Sequence, residues 1–369
     1  MKRRDVFLAL PAAAVKSSAA NSAVSVGLIG AGNRGSYIAK AAAAHPNARI
    51  AAVCDIFEAK IEPAKKSIGA VDAKAYTDYR KLLESNVDAI IIATPVFLHA
   101  EHFEAAVKAG KHIYIEKPAA SDVAGVKRIM RAADAADRKF NISFGFQRRY
   151  GQVYGKAKQA LDSGAIGKIR WAQVEFIKSD NPRRRRSDPA PRTMEEKIRN
   201  WGDWRELSGD LIVENNIHVI DVMNWFIGAR PLRAHGAGGR VIPGYGDMRD
   251  HGTVSFEYPD NVQGTLQGMT VAPPFFRSVV EQFHGEKGVI EVSETHWRHY
   301  RGKEDTVYEK APRNPSADSL PAFIQRIAEG KPENTGVRGC ESTLTAIMGR
   351  MAMDKMRPVT WEEVWNSEA

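Results

Sequence analysis

A lysine, a histidine and two carboxylates in this chain have the types and spacing to move a proton on and off an oxygen. Lys117 closes the run His112-Ile-Tyr-Ile-Glu-Lys-Pro118, while Glu214, His218 and Asp221 follow at intervals of four and three residues. On a helix those intervals place all three side chains on one face. A carboxylate beside an imidazole fixes its tautomer and raises its basicity, so Glu214 is expected to orient His218. Turning an alcohol into a carbonyl requires such groups, because the hydroxyl proton must depart as the hydride does. The same face could ligate a metal, but no second cluster of ligands completes a site, and none is expected.

A hydride also needs an acceptor. In Gly30-Ala-Gly32-Asn33-Arg34-Gly35 three glycines stand at the spacing of a dinucleotide turn, directly after the apolar run Val24 to Ile29 and directly before a helical pattern. The first permits the tight turn, the second lets backbone approach a pyrophosphate, and the third lets helix and strand pack closely. Asp55 stands twenty residues after Gly35 at the end of the next apolar run. There it can bond ribose hydroxyls and repel a 2'-phosphate, so NAD is expected in preference to NADP. An ordinary strand-end cap is the alternative role for Asp55.

Those residues need a scaffold, and the apolar pattern supplies one. Strand-length runs at Val24 to Ile29, Ile50 to Cys54, Ala89 to Ala93, His112 to Ile115 and Asn141 to Phe144 alternate with helical patterns, the mark of a doubly wound parallel sheet. After about Gln147 the pattern changes. A helix from Gly151 to Leu161 is expected to lead to a strand at Lys168 to Lys178, a long polar loop and a helix from about Asp210 to Phe226, then strands at Leu232 to Val241, Gly252 to Tyr258, Val262 to Thr270, Ser278 to His284 and Val289 to Val292. Successive short strands imply a largely antiparallel sheet with one face on helices. Two more helices are expected near Asp318 to Glu329 and Val337 to Met356, the second able to pack back on the first domain. The expected fold is α/β with two domains, residues 24–147 and 148–369, since 369 residues exceed one ordinary core.

Composition narrows the partners. Of the net charge of +9, seven positive charges lie in Lys2-Arg3-Arg4 and in Arg183 to Arg186. The remainder shows no basic stripe interleaved with aromatics, so no nucleic-acid partner is expected. Two cysteines, Cys54 and Cys340, give no disulfide framework. Residues 1–23 combine a basic start, an apolar stretch from Val6 to Val15 and small residues through Ser17-Ser-Ala-Ala20, the order of a secretory signal. Arg3-Arg4-Asp-Val-Phe-Leu8 resembles the twin-arginine class, which implies export to the periplasm, with a cytoplasmic protein as the alternative. No later run is long and apolar enough to span a membrane.

With these residues in hand, the chain resembles the family of glucose-fructose oxidoreductase, inositol dehydrogenase and rhizopine catabolism proteins (Gfo/Idh/MocA). The likeness rests on Gly30 to Gly35, on Ala93-Thr-Pro95 with Leu98-His99, on Ala109-Gly-Lys-His-Ile-Tyr-Ile-Glu-Lys-Pro118, and on Asn216-Ile-His218-Val-Ile-Asp221. It implies a Rossmann domain followed by an α+β domain with an open sheet, and a homo-oligomer. It also implies an NAD-dependent oxidoreductase acting on a sugar or polyol, with Lys117, His218 and Glu214 at the reacting hydroxyl. By the same resemblance Gly30, Gly32, Asn33, Arg34, Gly35, Asp55, Thr94, Pro95, His99, Glu116 and Lys117 meet the cofactor, and Arg149, Trp201, Arg205 and Asp221 meet the substrate. Members usually carry aspartate at the place of Glu214, glycine at Asn216 and a glycine triplet at Ser208-Gly209-Asp210. The usual substrate therefore does not carry over. Some exported members are glycosidases that recycle bound NAD through oxidation, elimination, hydration and reduction, which is the alternative function.

Overall fold

Six short strands form a wholly parallel sheet in the order β3-β2-β1-β4-β5-β6. They are β1 (Val24–Ile29), β2 (Ala48–Cys54), β3 (Lys74–Tyr76), β4 (Ala89–Ile92), β5 (His112–Ile115) and β6 (Ile142–Phe144). The computed structural model describes residues 23–179, 189–303 and 306–367. β1 and β4 are buried at every position, as an apolar run covered on both faces requires. The strand order reverses between β1 and β4, so the carboxyl ends of β1, β4 and β5 open a crevice at the switch point. The glycine turn, Thr94 and Lys117 all follow those ends.

A second sheet of nine strands runs β14-β13-β12-β11-β7-β10-β9-β8-β15. Its strands are β7 (Ile169–Ile177), β8 (Arg233–Gly239), β9 (His251–Glu257), β10 (Gln263–Met269), β11 (Ser278–Gly285), β12 (Val289–Val292), β13 (His296–Tyr300), β14 (Thr306–Lys310) and β15 (Val359–Thr360). Only β7 and β10 pair in parallel; the other neighbours are antiparallel. Burial alternates along β9 and β10, one face on helices and one open. β3, β13, β14 and β15 add to the expected strands; β3 and β15 are three and two residues long and β14 is largely exposed at a sheet edge, so none of these three has an apolar run to announce it.

The chain crosses between the sheets through Gln147–Tyr150, where we propose the domain boundary. Both late helices return to the first domain. Ser316–Ala328 buries Leu320, Phe323 and Ile324 in one apolar cluster with Val26, Leu28, Ile91 and Tyr114, and Tyr114 Oη lies 3.0 Å from Ser319 Oγ. Gly336–Lys355 is almost wholly buried and packs on Val123–Ala135 and on β8. Among the described residues no helix is long and apolar enough to cross a membrane, and no group of three or more His, Cys, Asp or Glu could hold a metal. The signal-like residues 1–22 and Arg183 to Arg186 lie outside the described residues.

Candidate active site

The glycine turn is shaped by contacts that leave no room for side chains. Gly30 sits at φ +99°, and a Cβ there would lie 2.6 Å from the Ala93 carbonyl oxygen. A Cβ on Gly35 would lie 1.9 Å from the Gly30 oxygen. Gly32 differs: its Cβ would meet nothing within 4 Å, so that backbone faces open space where a pyrophosphate can approach. Gly32 also begins the helix Asn33–Ala43 with no side-chain cap, leaving its N-terminus suited to an anion. The turn thus fits a dinucleotide. A cleft of about 1270 Å³ extends from it, lined by Asn33, Arg34, Asp55, Thr94 and Pro95, and by Ile198, Arg199 and Trp201 from the second domain. Asp55 serves two ends: its Oδ2 accepts from Ala31 N and its Oδ1 from Phe57 N, both at 2.9 Å. Each oxygen keeps a lone pair for a ribose hydroxyl.

Lys117 and His218 lie beyond this lining. Lys117 is nearly buried, its Nζ donating to the Glu214 carbonyl at 2.6 Å and to Glu214 Oε1 at 3.3 Å. The expected continuous helix is broken. Leu211–Glu214 ends early, Asn216 N donates to Leu211 O five residues back, and a second helix runs Ile217–Ile227. One residue more in the turn rotates the second helix by about 100°. At the break Asn215 Nδ2 donates to the Glu214 carboxylate, while the buried Asn216 amide finds no partner among the described residues. Glu214 therefore holds Lys117, and the break removes the single helical face on which it was expected to orient His218.

The His218 ring stacks on Phe176, with centroids 6.3 Å apart, and its Nδ1 is buried without a partner among the described residues. Burial first, and then the cations Lys117, Arg148, Arg34 and Lys178, push its pKa well below the ordinary imidazole range. The imidazole is therefore held in its neutral form.

These two halves match known sequence families. Residues 24–144 match the model described as oxidoreductase family, NAD-binding Rossmann fold, and residues 154–291 match the Gfo/Idh/MocA C-terminal domain. The chain belongs to the Gfo/Idh/MocA family. It is an NAD-binding oxidoreductase. Myo-inositol 2-dehydrogenase of Thermotoga maritima is 25% identical over 353 residues, covering 92% of this chain and 99% of that protein. Inositol 2-dehydrogenase of Rhizobium meliloti is 27% identical over 270 residues, covering 72% of this chain and 74% of that protein. A solved structure of levoglucosan dehydrogenase with NADH and levoglucosan shares the fold, with a TM-score of 0.79 at 20% identity over 91% of this chain and 99% of that one.

Other residues expected at the Gfo/Idh/MocA site take different places. His99 is buried behind it, Nδ1 2.8 Å from the Pro118 carbonyl and Nε2 3.0 Å from that of Thr94; burial lowers its pKa, so the neutral ring donates to one of the two carbonyls and both nitrogens face the protein. Glu116 is also buried, accepting from Arg34 Nε at 2.9 Å, while Arg34 Nη2 reaches Gln147 at 2.8 Å. Arg149 and Asp221 are spent on each other in a bidentate pair with both bonds at 2.9 Å, and Ser342 donates to the same carboxylate. Arg205 turns to Asp354 at 2.6 Å. Trp201 lines the nucleotide cleft, and Trp204 stacks on Tyr245. Arg149, Asp221 and Arg205 stand near the site and the fold supplies each with a nearer partner, whereas Trp201 remains in the cleft lining.

Sequence reasoning missed a set of buried charges. Arg148 pairs with Glu281, both almost inaccessible, and its guanidinium lies over the ring of Phe176, on which His218 also stacks. Asp210, Arg249 and Arg350 surround the start of the broken helix. Nothing in the sequence separates them from surface charges; the Asp210 departure from a glycine triplet was the one available signal.

Proposed function

We propose that this Gfo/Idh/MocA protein is an NAD-dependent dehydrogenase of a ring hydroxyl on a cyclic polyol or sugar. The observation that carries the reading is the convergence of Lys117, Glu214 and a neutral His218 at the meeting of the two domains. The neutral imidazole accepts the hydroxyl proton, and the Lys117 ammonium, anchored on Glu214, donates a hydrogen bond to the oxygen as it becomes a carbonyl. Bound NAD supplies the hydride acceptor. Burial of Lys117 keeps water from competing for that oxygen. Relatives named for inositol and levoglucosan support a ring carrying several hydroxyls. They lend no support to the redox-neutral glycosidase.

Incubation of the purified protein with inositols, anhydrosugars, aldoses and aryl glycosides, with and without NAD, tests the assignment. Sustained NADH formation with a polyol or sugar is the expected result; release of aglycone without net reduction overturns it. Export and a homo-oligomer are part of the same proposal. The first rests on Arg3-Arg4 and the segment after it, and cell fractionation tests it; sedimentation measures the second.

A further inference from the structure

Asp210 holds a backbone conformation that belongs almost entirely to glycine. At φ +85° and ψ 169°, and with no exposed surface, it immediately precedes the helix Leu211–Glu214. A residue strained in this way persists only when its surroundings over-determine it. Here they do. Asp210 Oδ1 accepts from Leu211 N and from Arg249 N, both at 2.8 Å. Its Oδ2 pairs with the Arg249 guanidinium and lies 3.3 Å from Arg205 Nε. Both arginines run on to Asp354, Arg249 at 2.5 Å and Arg205 at 2.6 Å.

The conformation leads straight to the lysine. The Asp210 carbonyl accepts from Glu214 N at 2.9 Å, and the Glu214 carbonyl accepts from Lys117 Nζ at 2.6 Å. A second tie binds the same two segments, because Arg350 Nη1 donates to Ser121 O at 2.6 Å and to Gly209 O at 3.3 Å. Ser121 lies four residues past Lys117 and Gly209 five before Glu214, so one guanidinium spans the joint between the domains. Lysine has a long, flexible stem and no planar fork to pre-set its direction. Its acceptor must be placed for it.

We propose that Asp210, held by Arg249 and coupled through Arg350, is a positioning residue that sets Glu214 and thereby aims the Lys117 amine at the reacting oxygen. This rests on the reading of Lys117 as the group that serves that oxygen. Reaction rates are sensitive to sub-ångström placement of such a group, whereas binding of the nucleotide's pyrophosphate and ribose at the glycine turn is not.

Asp210→Gly separates the two contributions. Glycine adopts the same backbone angles without strain, and Arg249 and Arg205 keep Asp354, so only the carboxylate is lost. The expected result is a kcat at least about tenfold lower, with NAD affinity and substrate KM unchanged. Asp210→Asn should recover part of the rate, since its amide oxygen still accepts from Leu211 N. A parental kcat in Asp210→Gly overturns the proposal, as does a loss of rate that tracks loss of NAD affinity and thermal midpoint. Should Asp210→Gly fail to fold, Arg350→Lys cuts the Gly209 tie and must show the same split between kcat and KM. Lys117→Ala is measured alongside. An active Lys117→Ala removes the reading of the site itself; an inactive Lys117→Ala with a parental Asp210→Gly removes the positioning role alone.

Discussion

One wall of the site is made of backbone and the other of charged side chains. Around the dinucleotide, Gly30 and Gly35 press against carbonyl oxygens, Gly32 leaves its peptide bare, and Asp55 is itself bonded to two backbone N-H groups. Across the domain joint, the charged side chains of Lys117, Glu214, Asp210, Arg249 and Arg350 surround one short helix, linked partly by ion pairs and partly through backbone carbonyls. A wall of backbone fails when atoms are added. A wall of side chains fails when atoms are removed, and it fails in rate before it fails in binding.

The largest effect should come from adding one methyl to the first wall. Gly35→Ala would set a Cβ 1.9 Å from the Gly30 oxygen, against backbone that cannot swing aside. It should cost roughly 3 kcal/mol in stability and abolish NAD binding, measured by denaturation and titration. Parental NAD binding would mean the turn is softer than its contacts show. Removal from the second wall comes next: Lys117→Ala should lower turnover by more than about a hundredfold and leave NAD binding intact. A variant that lost both together would erase the contrast between the walls.

Asp55→Ala tests where the contrast blurs, because this side chain serves the backbone wall. Selectivity for NAD over NADP should fall by roughly tenfold, with some loss of NAD affinity as the bond to Ala31 N goes. Unchanged selectivity in competitive kinetics would leave Asp55 only its structural bonds.

The smallest effect at neutral pH concerns His102, which lines the cleft with Nδ1 3.1 Å from Thr94 Oγ1 and its ring edge-on to Tyr79. Burial, then His99, and then Arg80 against the opposing Glu101, lower its pKa to about 4. The unfolded chain takes up this proton near pH 6.5 and the folded chain only near 4, so stability declines as pH falls between those values. The loss is at most about 3 kcal/mol. His102→Gln should flatten that part of the stability curve; an unaltered slope from pH 7 to pH 4.5 would place the acid sensitivity elsewhere.

Much of this was legible in the residues, for reasons that differ from place to place. The strands β1, β2, β4 and β5 were readable because a buried parallel strand must be apolar throughout. The glycine turn was readable because its three requirements fall within six residues. The break between Asp210 and Phe226 was not, since hydrophobic period alone does not register one extra residue in a turn. His99 and Glu116 stand in the right motifs for cofactor contacts, and motif position does not say whether a side chain faces the cleft or the core behind it.

By itself, then, the sequence determined the parallel sheet, the dinucleotide turn, the acid at the end of β2 and the presence of a lysine and a histidine fit for proton transfer. Each depends on neighbours a few residues away, where chain geometry leaves little freedom. The tertiary structure alone decided that Glu214 belongs to Lys117, 97 residues distant, that Asp221 belongs to Arg149, and that Arg148 lies buried against Glu281. Pairing between charges is set by which side chains the two sheets bring within reach, and by the cost of leaving any of them buried alone. That choice is written in the packing of whole elements, not in the spacing of residues along one of them.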